Sequence, residues 1–446
     1  MKYDVKPNFL MFLIGLGALT KIYFLGCLSI SEMVVFFAGP FILLKDYPVI
    51  KRDGCMVFIV LLLLNSVGLL VGGAVNNVPT VFTVKALAMD YSIFAHFVIF
   101  HRLIRKSPKS IGWFFAGSAI SGIITIFAFN PQAQLMSGDV YAGVLETATD
   151  AIVSGPLFWV GQVESFMRVP LYGWYMNMPW IYAFSYLIVM AAVTLATTSS
   201  GRSATLIVFL GVMLLLLGGK SRTRMFKIGR HIFVLLLVVA ISGLLFKSAY
   251  AYLAQHGYLS DEQQRKYEWQ SRHGGSALRL LMSGRIEFFV GLRAALDAPI
   301  LGHGPMALDS KEYYYSFVEK YGDSDDVENY LRSKARAMEH GYSRRIPTHS
   351  HIIGGWVSRG IFGLIFWTYI LWMMYQYLRR YAFAVPQLFG YCALSVVYYG
   401  WHILFSPMGV RSYLAIFIAA ILYVRSVALG RAQLSFDLDC EAKRHE

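Results

Sequence analysis

Basic side chains are crowded together directly before a long apolar run in the last quarter of the sequence. Arg344, Arg345, His349 and His351 lie within eight residues, and the apolar run begins near Gly360. A histidine can accept a proton near neutral pH, and the arginine guanidinium binds phosphate oxygens through paired hydrogen bonds. The cluster therefore predicts chemistry on a phosphate-bearing substrate.

The same histidines could in principle bind a metal. His349 and His351 are two residues apart, a spacing that places them on different faces of a helix, and Pro347 favours an extended or turn conformation. A metal site would need further ligands, yet the sequence has no HExxH motif and no CxxC pair. The cysteines are Cys27, Cys55, Cys392 and Cys440. We expect no metal, no cofactor and no disulfide framework.

Two further basic segments could contribute to the same chemistry. "SSGRSATL" places Arg202 between two apolar runs. The simpler interpretation is a short turn whose arginine extends to the lipid headgroups. "LMSGRIEFFVGLRAALDAPILGHGP" places Arg285 and Arg293 eight residues apart, on one face of a helix. A surface helix with its basic residues at headgroup level is the alternative. Asp297-Ala-Pro299 should end that helix.

Ionisable residues inside apolar segments give weaker candidates. Lys85 and Asp90 fall within one predicted span, and His402 and Arg411 flank a turn near the C-terminus. Charged residues in spans are usually functional or paired. For Lys85, reaching toward the membrane surface is the simpler explanation.

Composition places these residues in a membrane protein. The chain has 446 residues, of which 57% are hydrophobic and 15% charged, whereas soluble domains have about 25% charged residues. Runs such as 56–75 reach the roughly 20 residues that cross a bilayer as a helix, and the alternating segments of a β-barrel are not seen. The net charge of +14 is explained by basic cytoplasmic loops better than by nucleic-acid binding.

The apolar segments and basic clusters predict a topology. Spans are expected near 8–25, 31–44, 56–75, 82–104, 111–129, 177–198, 203–219, 231–248, 360–378, 384–403 and 409–427. Basic clusters at 45–52, 102–109, 220–230 and 379–380 mark the cytoplasmic side. Three spans are predicted between the clusters at 102–109 and 220–230, but an even number is needed for both clusters to lie on the cytoplasmic side. We therefore place one more crossing within 148–172. A re-entrant or surface segment there is the alternative.

The predicted fold is therefore an all-α, polytopic membrane protein with about 12 transmembrane helices and one large, mostly helical loop on the outer face. The boundaries are 1–248 for the N-terminal spans, 249–358 for the loop, 359–430 for the C-terminal spans and 431–446 for a cytoplasmic tail.

The three basic segments also occur in a characteristic order. His349-Ser350 is followed by nine residues and then Gly360-Ile-Phe-Gly363. Upstream lie "SGRSATLIVFLGVMLLLL" and "SGRIEFFVGLRAALDAPILGHGP". Together they resemble the O-antigen ligase and polymerase superfamily of bacterial envelope glycosyltransferases. The chain departs from many relatives at Ser358, where they have an acidic residue, and in the insert 309–331.

The resemblance implies a metal-independent glycosyltransferase acting at the periplasmic face of the bacterial inner membrane. Its donor would be a glycan on undecaprenyl diphosphate. His349 matches the catalytic histidine position, and Arg202 and Arg285 match arginines that hold the diphosphate; Arg344 and Arg345 are added to that group. The weaker site candidates are Arg293, His351, Lys85 and Arg411.

The acceptor separates the functional alternatives. The favoured activity is ligation of O-antigen to lipid A–core, in the synthesis of lipopolysaccharide. Polymerisation of lipid-linked repeat units, of O-antigen or exopolysaccharide, is the runner-up, and transfer to a protein is a further variant. A polysaccharide transporter or a component of an export complex is the alternative from another class. Membrane lipids are expected partners, and nucleic acid is not.

Overall fold

The computed structural model describes the two ends of the predicted membrane domain and much of the loop region between them. The described residues are 5–18, 21–23, 27–128, 252–253, 256–258, 264, 286–309, 311–321, 327–328, 331–332, 334–335, 345–348, 350–405 and 411–442. Four predicted site residues lie outside them, namely His349, Arg344, Arg202 and Arg285. The segment 148–172 and the spans predicted between 177 and 248 also lie outside the described residues.

The described part of the chain is mostly helical. Its long helices are α1 (Val5–Ala18), α2 (Ile30–Arg52), α3 (Met56–Val75), α4 (Thr80–Lys106), α5 (Ser110–Ala128), α9 (Ile361–Gln376), α10 (Pro386–Phe405) and α11 (Arg411–Ala442). Shorter helices between them are α6 (Ile286–Asp297), α7 (Tyr313–Tyr321) and α8 (His351–Arg359). A π-helical turn, Tyr377–Tyr381, extends α9. Strands β1 (Lys21–Tyr23) and β2 (Cys27–Ser29) form a short antiparallel pair.

Six helices among the described residues are long and apolar enough to cross a membrane. They are Ile30–Arg52, Met56–Val75, Thr80–Lys106, Ile361–Tyr381, Pro386–Phe405 and Arg411–Arg431. The described part of the chain is thus mostly helical, as predicted, and its six candidate spans are compatible with a multi-pass membrane protein. The first predicted span, 8–25, is wrong as a single helix, because α1 is followed by β1, whose backbone pairs with β2.

Side chains on α2 form an apolar outer surface. Phe37, Phe41 and Leu44 are each more than 70% exposed, and an apolar surface of this kind is stable only where lipid covers it. The opposite sides of the spans share one core, which includes Phe58, Phe97 and Phe366. The bundle thus has a lipid-facing exterior and an aromatic interior.

The bundle has two distinct ends. At the junction end α3 finishes, α4 and α9 begin, and α10 finishes; the short helices α6, α7 and α8 lie there. They share a small core of their own, formed by Val290, Ala294, Ala295, Ala307, Tyr313, Ile346, Ile353 and Val357. At the opposite end α2 and α4 finish and α3 begins.

Candidate functional site

An extended segment leads into α8 at the junction end. Arg345 pairs with Leu308 as an isolated antiparallel bridge, and the Ile346 amide donates a hydrogen bond to the Ala307 carbonyl at 2.8 Å. Ser350 then caps α8, because its Oγ accepts from the Ile353 amide at 3.3 Å. The same hydroxyl donates to the Ile403 carbonyl of α10 at 2.9 Å. The residues on both sides of position 349 are therefore tied to neighbouring elements.

The structure corrects one expectation about the histidine segment. His351 does not belong to an extended segment, because it is the first residue of α8. Its ring lies 4.7 Å from the Trp367 ring, centroid to centroid. Burial, with the nearby His402 and Arg359, lowers the pKa of His351 to about 3. A ring that stays neutral across the physiological range is suited to packing and hydrogen bonding rather than to base catalysis.

The glycines of the Gly-x-x-Gly segment hold α8 and α9 together. Gly360 links the two helices with a φ of +60°, and a Cβ there would lie 1.9 Å from the Ile300 carbonyl oxygen. A Cβ on Gly363 would lie 2.1 Å from the carbonyl oxygen of Gly355 in α8. Only a residue without a side chain permits these backbone approaches. The spacing of the two glycines therefore has a packing explanation that is independent of catalysis.

The "GHGP" turn connects the junction to the end of α3. The His303 amide donates to the Val357 carbonyl at 2.6 Å, and His303 Nε2 donates to the Ala294 carbonyl at 2.8 Å. The side-chain Nδ2 of Asn76 donates to the Gly302 carbonyl at 3.1 Å. These bonds join α3, α6 and α8 through one turn, so His303 is a structural residue.

Two candidate arginines of the loop region, Arg293 and Arg345, are among the described residues, and both are at the surface. Arg345 is exposed. Arg293 is 74% exposed, and its Nε lies 3.8 Å from Asp297 Oδ1 one turn along α6. Helix α6 ends at Asp297, as the Asp-Ala-Pro sequence predicted. Both guanidinium groups can meet an anion at the membrane surface, whereas Lys85 lies exposed near the start of α4.

A buried ion pair joins α8 to α4. Arg359 Nη2 lies 2.9 Å from Asp90 Oδ1. Asp90 Oδ2 accepts hydrogen bonds from Asn65 Nδ2 at 3.2 Å and from Ser66 Oγ at 3.1 Å, both on α3. The expectation that Asp90 is functional or paired is thus met by pairing. Arg359 immediately precedes Gly360, so the pair fixes the point at which α8 turns into α9.

A second, partly buried ion pair involves the weaker site candidate Arg411. Arg411 Nη1 lies 2.7 Å from Glu32 Oε1, which also accepts from Ser92 Oγ at 2.8 Å. The Ser29 amide donates to Glu32 Oε2 at 2.8 Å, completing a capping box at the start of α2. Arg411 therefore holds α11 against α2 and α4.

Sequence reasoning overlooked Glu32, although a signal was present. "SISE" at 29–32 is the Ser-x-x-Glu pattern of a capping box preceding an apolar run. Arg359 had no comparable local signal, because its partner lies 269 positions away. Within the described residues no group of three His, Cys, Asp or Glu side chains could hold a metal ion.

Comparison with known proteins identifies no relative of this chain. No protein-family model, curated protein or solved structure matches the chain.

Proposed function

We propose that this chain is a metal-independent glycosyltransferase that takes a glycan from an undecaprenyl-diphosphate donor at the junction end. The observation that supports it is the anchoring around position 349. Ile346 is bonded to Ala307, and Ser350 is bonded to both α8 and α10. A reacting side chain needs a support of this kind, because small displacements cost large factors in rate.

The chemistry assigned to this region balances without a metal. A hydroxyl oxygen of the acceptor attacks C1 of the donor sugar, and the new C1–O bond forms as the C1–O bond to the diphosphate breaks. The electron pair leaves on the diphosphate oxygen, and neutral His349 accepts the hydroxyl proton. Arg345 stabilises the charge on the departing diphosphate, with Arg344, Arg202 and Arg285 in the same role.

Local electrostatics are compatible with an anionic donor. Arg345 is exposed, and the α8 N-terminus follows at His351. The N-terminus of a helix carries partial positive charge and favours anions. The donor lipid would lie along the apolar exterior of the bundle while its diphosphate meets these groups.

The intramembrane charges do not call for a transport pathway. Asp90, one of the residues that suggested transport, is bound by Arg359, Asn65 and Ser66. Glu32 is bound by Arg411 and Ser92. Mutual pairing of this kind accounts for both carboxylates as contacts between helices, so transfer is preferred over transport.

The test is release of undecaprenyl diphosphate by the full chain purified in detergent. Lipid-linked oligosaccharides extracted from the source cells serve as donor, with and without added lipid A–core. Release that requires lipid A–core indicates a ligase, and release with lengthened lipid-linked glycan indicates a polymerase. Product formed in detergent, where no membrane separates two compartments, excludes transport as the sole activity.

The catalytic assignment is tested with two histidine variants. His349→Ala should lower release by about a hundredfold or more if the imidazole is the general base. His256→Ala is the matched control, because His256 is exposed and, among the described residues, its ring contacts those of the nearby Tyr252 and Tyr258. Undiminished release by His349→Ala at equal protein concentration would refute the assignment.

A further inference from the structure

A cavity lies at the opposite end of the bundle, away from the junction. Its volume is about 310 Å³, and its lining residues are Arg52, Asp53, Arg105, Tyr423, Ser426 and Val427. Arg52 is the last residue of α2, and Arg105 is in the last turn of α4. The cavity therefore lies at the level where these helices leave the membrane.

Asp53 organises the basic groups around this cavity. Its side chain is only 7% exposed, and its Oδ2 lies 3.1 Å from Arg105 Nη1 and 3.3 Å from His101 Nε2. Its Oδ1 lies 3.6 Å from Arg52 Nε. Burial by itself would raise the pKa of Asp53, but His101 and the charges of Arg105 and Arg52 hold it below the ordinary value. Asp53 is thus a carboxylate with both oxygens engaged by cations.

Positive charge remains after this pairing. The Arg425 guanidinium lies beside the same loop, since a Cβ on Gly54 would be 3.9 Å from its Cζ. Two guanidinium groups, of Arg52 and Arg105, contact the single carboxylate of Asp53, and Arg425 lies beside the neighbouring Gly54. The side chains of Arg52 and Arg105 are 65% and 33% exposed, so their remaining N–H groups reach the solvent side.

We propose that this cavity binds a phosphate group, carried by an anionic phospholipid at the membrane surface. The guanidinium groups of Arg52 and Arg105, both paired with Asp53, can each direct their other N–H donors at phosphate oxygens. Tyr423 and Ser426 also line the cavity, beside the apolar Val427. Basic cavities between transmembrane helices are a recognised form of anionic headgroup site. This site is independent of the proposed transfer reaction.

The full chain in detergent is examined by native mass spectrometry with three probes: phosphatidylglycerol, phosphatidylcholine and inorganic phosphate. We expect phosphatidylglycerol to be retained in preference to phosphatidylcholine. Arg105→Gln should lower the retained phosphatidylglycerol about tenfold or more, the factor that corresponds to losing a direct hydrogen bond to a charged group. Ser426→Phe should lower it comparably by filling the cavity without changing the charge.

Arg380→Gln is the matched control, because Arg380 is exposed at the same end of the bundle and does not line the cavity. A loss with Arg380→Gln equal to that with Arg105→Gln would indicate general surface charge and overturn the proposal. Full retention by Ser426→Phe would overturn it too, and this variant leaves the Asp53–Arg105 pair intact. Inorganic phosphate that competes with the lipid at millimolar concentration would identify a phosphate site filled from solution. Phosphate that does not compete assigns the site to the lipid.

Discussion

The guanidinium of Arg359 lies 2.9 Å from the carboxylate of Asp90. This contact links the last residue of α8 to the middle of α4, across 269 positions of sequence. It lies next to Gly360, where the backbone turns from α8 into α9. The geometry of the junction is consequently set from inside the bundle as well as from the loop region.

Loss of the Asp90 charge should destabilise the protein. Asp90→Asn leaves the Arg359 guanidinium, 16% exposed, without its carboxylate, and breaking a buried pair costs about 3–5 kcal/mol. Thermal unfolding in detergent, followed by size-exclusion chromatography after heating, should show a clearly lower midpoint. Glu328→Gln is the control: its side chain and that of its partner Arg332 are 61% and 66% exposed, so the change should alter stability by less than about 1 kcal/mol. Equal midpoints for the two variants would contradict a structural role for the buried pair.

A methyl group at Gly363 should force α8 and α9 apart. The added Cβ of Gly363→Ala would lie 2.1 Å from the Gly355 carbonyl oxygen, and overpacking costs about 1–3 kcal/mol. Gly112→Ala is the matched control, because no described atom lies within 4 Å of its Cβ; alanine there should stabilise α5 by about 0.5–1 kcal/mol. If Gly363→Ala abolished transfer with an unchanged unfolding midpoint, the glycine would act in the reaction instead of in packing.

The Glu32–Arg411 pair should behave as one unit in a double-mutant cycle. Arg411→Gln alone leaves the buried Glu32 carboxylate without its partner, and Glu32→Gln alone leaves the partly buried Arg411 guanidinium without its partner. The double variant removes both charges. We expect the double variant to be more stable than the sum of the single losses predicts, by about 0.5–3 kcal/mol. Unfolding midpoints of the four proteins measure this coupling. Strictly additive losses would mean that the 2.7 Å contact contributes nothing to holding α11 on α2.

His351 should make stability depend on pH in a defined window. Its pKa is lowered to about 3 in the folded protein, against about 6.5 in an unfolded chain. The unfolded state therefore binds more protons between these values. The stabilising contribution is complete above about pH 6.5 and is lost as the pH falls toward 3.

His351→Phe keeps an aromatic ring beside Trp367 but cannot take up a proton. Between pH 7.5 and 4.5 the unfolding midpoint of the natural protein should fall more than that of His351→Phe. Asp53 does not contribute to the difference between the two curves. Its pKa lies below the ordinary carboxyl value, so it titrates below pH 4.5. Parallel curves for the two proteins would show that His351 is not held neutral by its surroundings.

Local features of the structure were largely predictable. Apolar runs such as 56–75 became α3 with the expected bounds, and Pro299 marked the end of α6 at Asp297. The start of α8 was missed, because Pro347 and the adjacent polar residues favour an extended chain. The cap that Ser350 makes with Ile353 decides where the helix begins. The capping box at Ser29 and Glu32 was readable and was overlooked.

The sequence by itself determined that this chain is a helical, multi-pass membrane protein, because apolar length and charge depletion are properties of consecutive residues. It also supplied the hypothesis of glycan transfer, through His349 and the arginines. Only the tertiary structure decided the partners of Asp90 and Glu32. Only it showed that the Gly360 and Gly363 positions are packing contacts. Such pairings join residues hundreds of positions apart, and their energies depend on burial and on distances of a few ångströms, which no local pattern encodes.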